Sequence, residues 1–391
     1  MAREKYNAEK EHEIIGTYPG IYGMELGGGK AGGVTIIPES PEFYRPITPC
    51  ENYKMAAKGK TPYWIPTNGW FFCDLNQFRP RQQADNRANH QCIDGGEFID
   101  YTKIDNIQTG WFDCKLEWEP KSMGCTVRPG NPQITEMTGW EEKVHFPDLD
   151  KEIDWEEMRE MNKTYTDVSK GNQLGIQMGL WERMMQLMDV DNAAMALLDE
   201  DQEDDIHAFL DKLADFYIDY IGRVKEVVAH LDAIYFHDDW GTQNGPFFSL
   251  ETCRKFFVPP MKKIVDYCHA NDIVFEHHCC GNAGSLVPAM IETGSDYWLP
   301  QPAINDVDAL VMKYKGQYRF GVCNPLIPVG ATPEDARELA RQFVERYKDC
   351  NVLVSQNLQY MGTPESDDSL FPVFMDAVYE FSRIAYQDCE D

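Results

Sequence analysis

The sequence predicts an α/β fold, a (β/α)₈ barrel with an N-terminal extension, and three observations support this prediction. First, short apolar runs alternate with amphipathic segments from residue 171 onward, which is typical of repeated βα units and a parallel sheet. Second, one or two further strands in 61–115 bring the total to about the eight strands of a closed barrel. Third, a barrel with insertions accommodates 391 residues in one domain. The six apolar runs are 171–179, 232–239, 273–280, 296–302, 318–323 and 351–357.

Amphipathic helices are predicted between these strands. Thr332 followed by acidic residues indicates a helix start, because side-chain oxygens satisfy free N–H groups there. Gly294 lies just after a predicted helix end, where a left-handed cap favours glycine. The predicted helices cover 201–229, 249–270, 284–293, 306–314, 332–349 and 369–386.

Two regions precede this regular part of the chain. Residues 1–50 are rich in Gly and Pro and show no clean period, so we expect an extension that packs on the barrel. Residues 51–391 form the barrel domain, and the part before residue 150 is expected to be irregular cover over one end of it.

Composition excludes several classes of function. The formal net charge of −29 repels nucleic acid and anionic membranes, so we expect neither as a partner. No apolar run approaches the ~20 residues of a membrane span, and the charged N-terminus lacks the apolar core of a secretory signal. The 12 cysteines show no short disulfide framework, which favours a reduced, cytoplasmic setting with thiols free to bind metal.

Polar side chains stand at the carboxyl ends of the predicted strands, which is where barrel enzymes place their chemistry. The segment 276–282 reads EHHCCGN. Because side chains alternate along a strand, His278 and Cys280 share one face, and His277 and Cys279 share the other. A thiolate and a neutral imidazole on one face suit Zn²⁺, so His278 and Cys280 are predicted metal ligands. Taken alone, the pattern is equally compatible with a capped histidine beside buried thiols.

The preceding strand ends in His237, Asp238 and Asp239, which are predicted catalytic residues because a histidine beside two carboxylates can orient a ligand or transfer a proton. One of the two aspartates is expected to cap the following loop. Cys323 ends the strand 318–323 and is a candidate third metal ligand, although a single thiol on an apolar strand is often only a small buried group.

Aromatic residues are abundant between 64 and 118. Most must belong to the core, but a few lining a pocket above His278 would suit a flat aromatic or tetrapyrrole ligand. The predicted substrate-binding residues are Trp70, Phe72, Trp240, Gln301 and Asn357.

The second half of the chain resembles the uroporphyrinogen decarboxylase-like superfamily. The residues that carry the resemblance are 237–243 (HDDWGTQ), the helix start 249–251 and 278–282 (HCCGN), in the order and spacing of the superfamily. The resemblance extends from about Thr61 to the C-terminus and implies a (β/α)₈ barrel. These motifs are specific for the superfamily rather than for one activity.

Within the superfamily the first half is similar to the corrinoid-dependent methyltransferase branch, and most of all to the methyltransferase component of anaerobic O-demethylases. The segments that carry this are 85–88 (DNRA), 116–118 (LEW), 127–130 (VRPG) and 139–155. The arginine-containing N-terminal loop of the decarboxylase has no counterpart here. That absence, together with the acidic charge, disfavours a poly-acid substrate.

The resemblance implies transfer of a methyl group from a phenyl methyl ether to Co(I) of a separate corrinoid protein. The cofactors are then Zn²⁺ and a cobalamin supplied by that partner. In the coenzyme M branch a late cysteine completes the zinc site, but Gln356 and Asn357 occupy that place here. The third ligand therefore stays open between Cys323, Asp238 and Asp239, and loss of the metal is a further alternative.

Two rival functions remain. The first is an enzyme that works in the other direction and moves a methyl group from methylcorrinoid to a thiol or tetrahydrofolate, although the missing late cysteine argues against it. A non-catalytic tetrapyrrole- or corrinoid-binding protein is the rival from another class. A homodimer is the candidate assembly.

Overall fold

The computed structural model describes residues 3–19, 21–24, 34–37, 39–68, 74–78, 107–119, 124–127, 130–355 and 365–390. Its N-terminal part contains two helices, Ala8–Glu11 and Pro49–Ala57, and four short strands. These are β1 (Ile14–Tyr18), β2 (Ile21–Met24), β3 (Val34–Ile37) and β4 (Ser40–Phe43). Strand β1 pairs with β4 and β2 pairs with β3, both antiparallel.

The N-terminal part contacts the last helix of the chain, Phe371–Tyr386. Glu11 and Arg383 form an ion pair with 2.9 Å between Oε2 and Nε, and both side chains are buried. Arg3 donates a hydrogen bond to the carbonyl of Pro62 at 2.7 Å. A buried ion pair of this kind is costly to break, because either partner alone would be an uncompensated charge.

The barrel consists of eight parallel strands. Their order in the sheet is β5, β15, β14, β13, β12, β11, β10 and β6, so the six C-terminal strands follow one another directly. The outer strands β5 and β6 lie close in the chain and are joined by a hydrogen bond from Asp74 N to Thr67 O at 2.9 Å. The predicted (β/α)₈ barrel is confirmed. The eight strands are β5 (Thr67–Asn68), β6 (Leu75–Phe78), β10 (Gly171–Ile176), β11 (Ala233–His237), β12 (Val274–Cys279), β13 (Tyr297–Pro300), β14 (Arg319–Cys323) and β15 (Leu353–Ser355).

A separate antiparallel sheet precedes the regular part of the barrel in the sequence. It consists of β7 (Ile107–Thr109), β8 (Lys115–Glu119) and β9 (Gly124–Val127). The helices after it are Leu149–Glu152, Trp155–Thr166, Leu180–Met188, Val190–Ala196, Glu203–Val227, Leu250–Phe256, Val258–Ala270, Val287–Thr293, Val307–Lys313, Pro333–Tyr347 and Phe371–Tyr386. In the described part of the chain, none of the helices is both long enough and apolar enough to span a lipid bilayer.

Two local predictions are confirmed at helix ends. Thr332 caps the helix Pro333–Tyr347 and forms a capping box with Asp335. Gly294 ends the helix Val287–Thr293 with a φ of 82°, the left-handed conformation in which glycine has no Cβ to clash. The predicted helix 249–270 is divided at Phe257, since Pro259 and Pro260 supply no N–H groups and therefore occupy a helix N-terminus instead of a helix interior.

The core lies between the sheet and the helices around it. Strand β10 is buried at every residue, as expected of a parallel strand covered on both faces. Trp181, Trp240 and Trp298 are among the largest fully buried side chains. This packing fixes the strand ends, and with them the side chains at the carboxyl-terminal rim.

Candidate active site

Strands β11 and β12 place four metal-competent side chains together at the carboxyl-terminal rim. The parallel register pairs His237 with His278. One ligand atom from each of His237, Asp239, His278 and Cys280 lies within 4.8 Å of the other three. We call these four residues the rim cluster. Residues two apart on each strand contribute side chains to the same point, as strand alternation requires.

The distances inside the rim cluster are short. His278 Nε2 lies 3.2 Å from Cys280 Sγ, and His237 Nε2 lies 3.7 Å from Asp239 Oδ1. The two imidazole rings stack with centroids 4.9 Å apart. The Cys280 thiol also interacts with His237. Asp239 Oδ1 accepts a hydrogen bond from the backbone N–H of Cys280 at 2.5 Å, which ties the two strand ends together.

Asp238 anchors the strand end to the helix Leu180–Met188. Its Oδ1 accepts the backbone N–H of Glu182 at 3.0 Å, and its Oδ2 accepts that of Trp181 at 3.3 Å and the Trp240 indole N–H at 2.8 Å. The side chain fits because Gly179 has no Cβ; one built there would lie 2.3 Å from Asp238 Cβ. Both oxygens therefore accept backbone N–H groups at the N-terminus of this helix.

Glu182 lies on the other side of His237. Its Oε2 is 2.8 Å from His237 Nδ1, opposite the nitrogen that faces Asp239. The sequence prediction did not include this residue. Its one sequence signal was a carboxylate in the first turn of a helix directly after a buried strand.

Electrostatics separates the two imidazoles. Burial lowers the pKa of His278 to about 3, and the charge on His237 adds to this effect, so His278 is neutral at pH 7. Burial also opposes the charged form of His237, but Glu182 and Asp239 raise its pKa well above the usual value. Burial raises the pKa of the Cys280 thiol, while His237 acts in the opposite direction. Burial raises the pKa of Glu182 to about 7.

The loops that follow the two strands are in backbone contact. Gly281 adopts a φ of +80°, and a Cβ built on it would come within 2.1 Å of Gly241. Asn282 N donates to Thr242 O at 2.7 Å. Gln301, a predicted substrate-binding residue, accepts the backbone N–H of Gly281 at 3.0 Å and so supports this loop.

The opposite faces of the strands belong to the core. His277 and Cys279 are fully buried, and Cys279 Sγ accepts the backbone N–H of Trp240 at 3.1 Å. Trp240, another predicted substrate-binding residue, is fully buried and packs edge-on against the His277 ring at 4.5 Å. The structure thus places Trp240 behind the rim cluster instead of on a pocket surface.

Among the described residues, four side chains converge at the rim, and that of Cys323, the candidate third ligand, is not one of them. It lies at the end of β14 and lines a cavity of about 460 Å³ together with Asn324 and residues of two neighbouring helices. Trp70, Phe72 and Asn357 lie outside the described residues, as does Gln356. Their predicted roles in substrate binding therefore remain predictions.

Between residues 64 and 118, the aromatic residues whose side chains are described lie in the core. Trp64 packs against Tyr379 with 5.4 Å between ring centroids. Trp111 and Phe112 are buried and contact Phe216. These three side chains give no support to an aromatic pocket above His278.

A second group of metal-type ligands lies at the opposite end of the barrel. It comprises Cys50, His230 and Asp232. Lys54 Nζ is 2.7 Å from Asp232 Oδ1, and His230 Nδ1 contacts the other oxygen. Both oxygens of the carboxylate are thus already occupied, one by Lys54 and the other by His230. The cluster is explained as a charge network that closes this end of the barrel.

The donor set of the rim cluster fits zinc. It offers one thiol, two imidazoles and one carboxylate, which are the ligand types of protein zinc sites. Ligands ~2.0–2.3 Å from a tetrahedral zinc ion are roughly 3.3–3.8 Å apart. Two of the separations in the rim cluster, 3.2 and 3.7 Å, lie close to that range. Glu182 supplies the carboxylate partner that metal-binding histidines commonly have.

One solved structure similar to this chain shares its barrel. A methyltransferase from Methanosarcina mazei superposes with a TM-score of 0.58 at 14% sequence identity, covering 86% of this chain and 99% of its own. That likeness shows the fold. Uroporphyrinogen decarboxylase from Ruthia magnifica subsp. Calyptogena magnifica is 25% identical over 191 residues, which are 46% of this chain and 50% of the relative. The chain thus spans about half the length of this curated relative.

The family assignment rests on a longer match. Residues 111–356 match the model of the family described as uroporphyrinogen decarboxylase (URO-D). The matched segment contains β10 through β15 and the whole rim cluster. The chain therefore belongs to the uroporphyrinogen decarboxylase family.

Proposed function

We propose that this protein is a methyltransferase that moves a methyl group from a phenyl methyl ether to Co(I) of a separate corrinoid protein. The rim cluster carries the proposal, because a thiol beside two imidazoles and a carboxylate at the carboxyl ends of barrel strands is a site for metal-assisted group transfer. The likeness of the barrel to that of the methyltransferase from Methanosarcina mazei supports the same reaction class.

The reaction balances without an external oxidant. The ether C–O bond breaks, and its electron pair stays on oxygen, which takes up a proton to give a phenol. The Co(I) centre of the partner supplies the electron pair for the new Co–C bond and is formally oxidised to Co(III). The difficult part is the poor leaving group, so the enzyme must stabilise the developing phenolate charge.

The four residues of the rim cluster would hold zinc, with His278 and Cys280 as the pair predicted from sequence and His237 and Asp239 completing the set. Zinc held there would supply a Lewis acid for the departing oxygen. His278 is neutral and needs no proton loss to act as a ligand. Asp239 orients the Cys280 backbone, and Asp238 fixes the strand end from behind.

The position of the rim cluster at the strand ends suits a large partner. A cobalt centre carried by another protein must approach from solvent, and the carboxyl-terminal rim is the accessible end of a barrel. The formal charge of −29 disfavours a poly-acid such as uroporphyrinogen as the substrate. Cobalamin is therefore expected to arrive with the partner rather than stay bound to this chain.

The decisive experiment assays the purified full-length chain in three arms. The first mixes cob(I)alamin, kept reduced, with a panel of methoxybenzenes and follows methylcobalamin formation by absorbance and phenol by chromatography. The second offers methylcobalamin with a thiol or tetrahydrofolate, and the third offers uroporphyrinogen. Methylcobalamin and phenol in equal amounts in the first arm support the proposal. Turnover confined to the second or third arm overturns it, and so does a complete lack of turnover from a purified protein that is found to contain no zinc.

A further inference from the structure

Glu182 stands outside the rim cluster but contacts one of its members. It lies in the first turn of the helix Leu180–Met188, and only 12% of its side chain is exposed. Its Oε2 is 2.8 Å from Nδ1 of His237. Because this carboxylate occupies one ring nitrogen, the other, Nε2, is left to face Asp239 at 3.7 Å.

Glu182 is itself held from two directions. Its backbone N–H donates to Asp238 Oδ1 at 3.0 Å, while its side chain reaches His237, the residue before Asp238. Glu182 therefore joins its helix to the end of β11 by two contacts, one to Asp238 and one to His237. The buried indole of Trp240 donates to the second Asp238 oxygen at 2.8 Å and locks that carboxylate. This arrangement leaves the Glu182 carboxylate little freedom to turn away.

An imidazole has two nitrogens, and the hydrogen bond at one decides what the other can do. When Nδ1 donates its proton to a carboxylate, Nε2 presents a lone pair in a fixed direction. Outer carboxylates of this kind orient metal-binding histidines and increase their basicity, and their removal typically weakens metal affinity or activity about 10–100-fold.

We infer that Glu182 is a positioning residue, which holds His237 in the tautomer and orientation that direct Nε2 into the rim cluster. This inference rests on the proposed metal site. A purely structural role is the alternative: the Glu182–His237 contact would then only join helix and strand, and the geometry of a bound metal would not depend on it.

Co²⁺ binding separates the two roles, because cobalt reports its coordination geometry and its thiolate ligand by absorbance. The metal-depleted full-length protein is titrated with Co²⁺ alone. Glu182→Leu removes the hydrogen-bond acceptor, and Glu182→Gln keeps one. We expect Glu182→Leu to raise the Co²⁺ dissociation constant about 10–100-fold and to change the visible bands at saturation. Glu182→Gln should restore most of the affinity and a near-native spectrum.

Two controls sharpen this test. Asp376→Asn breaks an exposed carboxylate–histidine contact, to His12 at 3.0 Å, and should leave Co²⁺ binding unchanged. In a His237→Ala background Glu182→Leu should have no further effect, since Glu182 acts through that ring. If Glu182→Leu alone folds poorly, comparing His237→Ala with the double variant still tests the inference, provided that circular dichroism shows the double variant to be folded.

The outcomes are distinct. A Glu182→Leu protein with native affinity and spectrum overturns the positioning role while leaving the metal site intact. The positioning role is also overturned if Glu182→Gln binds Co²⁺ as weakly as Glu182→Leu does. It is overturned as well if Glu182→Leu weakens Co²⁺ binding by the same factor in the His237→Ala background. If the native protein binds no Co²⁺, the metal site of the proposed function is wrong and the inference fails with it.

Discussion

The backbone of Gly281 lies directly against that of Gly241. A Cβ atom built on Gly281 would come within 2.1 Å of the Gly241 carbonyl carbon, and the residue already adopts a φ of +80°. Gly241 is equally confined, because its own Cβ would lie 2.8 Å from Asn282 N. The loops after β11 and β12 can approach this closely only because both positions lack a side chain.

Gly281→Ala should therefore displace the loop that begins at Cys280. Two costs add: the left-handed backbone costs a residue with a Cβ about 1–2 kcal/mol, and the backbone clash must be relieved by movement. We expect a loss of at least ~2 kcal/mol in unfolding free energy together with lower zinc content. Urea unfolding and plasma emission spectroscopy measure the two quantities on the same preparation.

Gly316→Ala is the matched control for that variant. Gly316 has a φ of +77°, but nothing lies within 4 Å of its Cβ position. It should show the backbone cost alone, about 1–2 kcal/mol, with native zinc content. If the two variants have the same unfolding free energy and the same zinc content, the contact between the loops does not position Cys280.

Zinc content of single variants tests the ligand set. Cys280→Ala and His278→Ala remove strong ligands from the rim cluster, so we expect each to lose most of the zinc while the barrel stays folded. Cys279→Ala removes a buried thiol on the opposite face, and this variant should keep its zinc. Plasma emission on the purified proteins gives the metal content, and circular dichroism confirms folding.

Cys323→Ala decides between two ways of completing the site. Among the described residues the converging atoms are those of His237, Asp239, His278 and Cys280, and this favours His237 and Asp239 over Cys323 as the remaining ligands. We therefore expect Cys323→Ala to keep its zinc and Asp239→Ala to lose a substantial part of it. The reverse result would restore Cys323 to the ligand set.

Asp238 offers a test of an orienting role against a proton-transfer role. Both of its oxygens accept hydrogen bonds, from the backbone N–H groups of Trp181 and Glu182 and from the Trp240 indole. Asp238→Asn would turn an N–H₂ group toward one of these donors, so we expect a loss of about 2–3 kcal/mol in unfolding free energy. Native stability with abolished methyl transfer would instead identify Asp238 as a proton carrier.

Much of the fold followed from local patterns. The six C-terminal strands were predicted because each is a short apolar run between amphipathic helices, and parallel strands covered on both faces need such runs. The pairing of His278 with Cys280 followed from strand alternation alone. One helix boundary inside 249–270 was missed, although Pro259 and Pro260 were visible, because amphipathic spacing continues across the break.

The contacts between elements could not be predicted in the same way. Glu182 and His237 are 55 residues apart, and their contact depends on β10 and β11 being neighbours and on the helix Leu180–Met188 beginning near His237. Trp240 follows the strand end in sequence, yet its indole turns into the core because Asp238 offers an acceptor there. Tertiary packing determines these contacts, and the residue pattern of a single strand carries no information about it.

The charge network at the other end of the barrel predicts a pH dependence of stability. Asp232 is 5% exposed at its side chain and accepts hydrogen bonds from His230, Lys54 and the backbone N–H of Asn172. Burial alone would raise the pKa of Asp232, but these partners outweigh it and hold the pKa well below its usual range. The unfolded chain therefore binds a proton more readily than the folded chain does.

The contribution of Asp232 to stability is consequently fully present only above the unfolded pKa of ~3.9. It is lost as the pH falls below that value toward the lower pKa of the folded chain, since protonation then favours the unfolded state. Asp232→Asn removes this carboxylate, so we expect a loss on the order of 3 kcal/mol at pH 7 and a flatter decline toward pH 3. Asp272→Asn, which removes an exposed partner of Lys54 and Lys58, should cost less than ~1 kcal/mol. Urea unfolding followed by circular dichroism from pH 3 to pH 7 measures both variants, and parallel curves for Asp232→Asn and the native protein would show that this network does not set the acid stability.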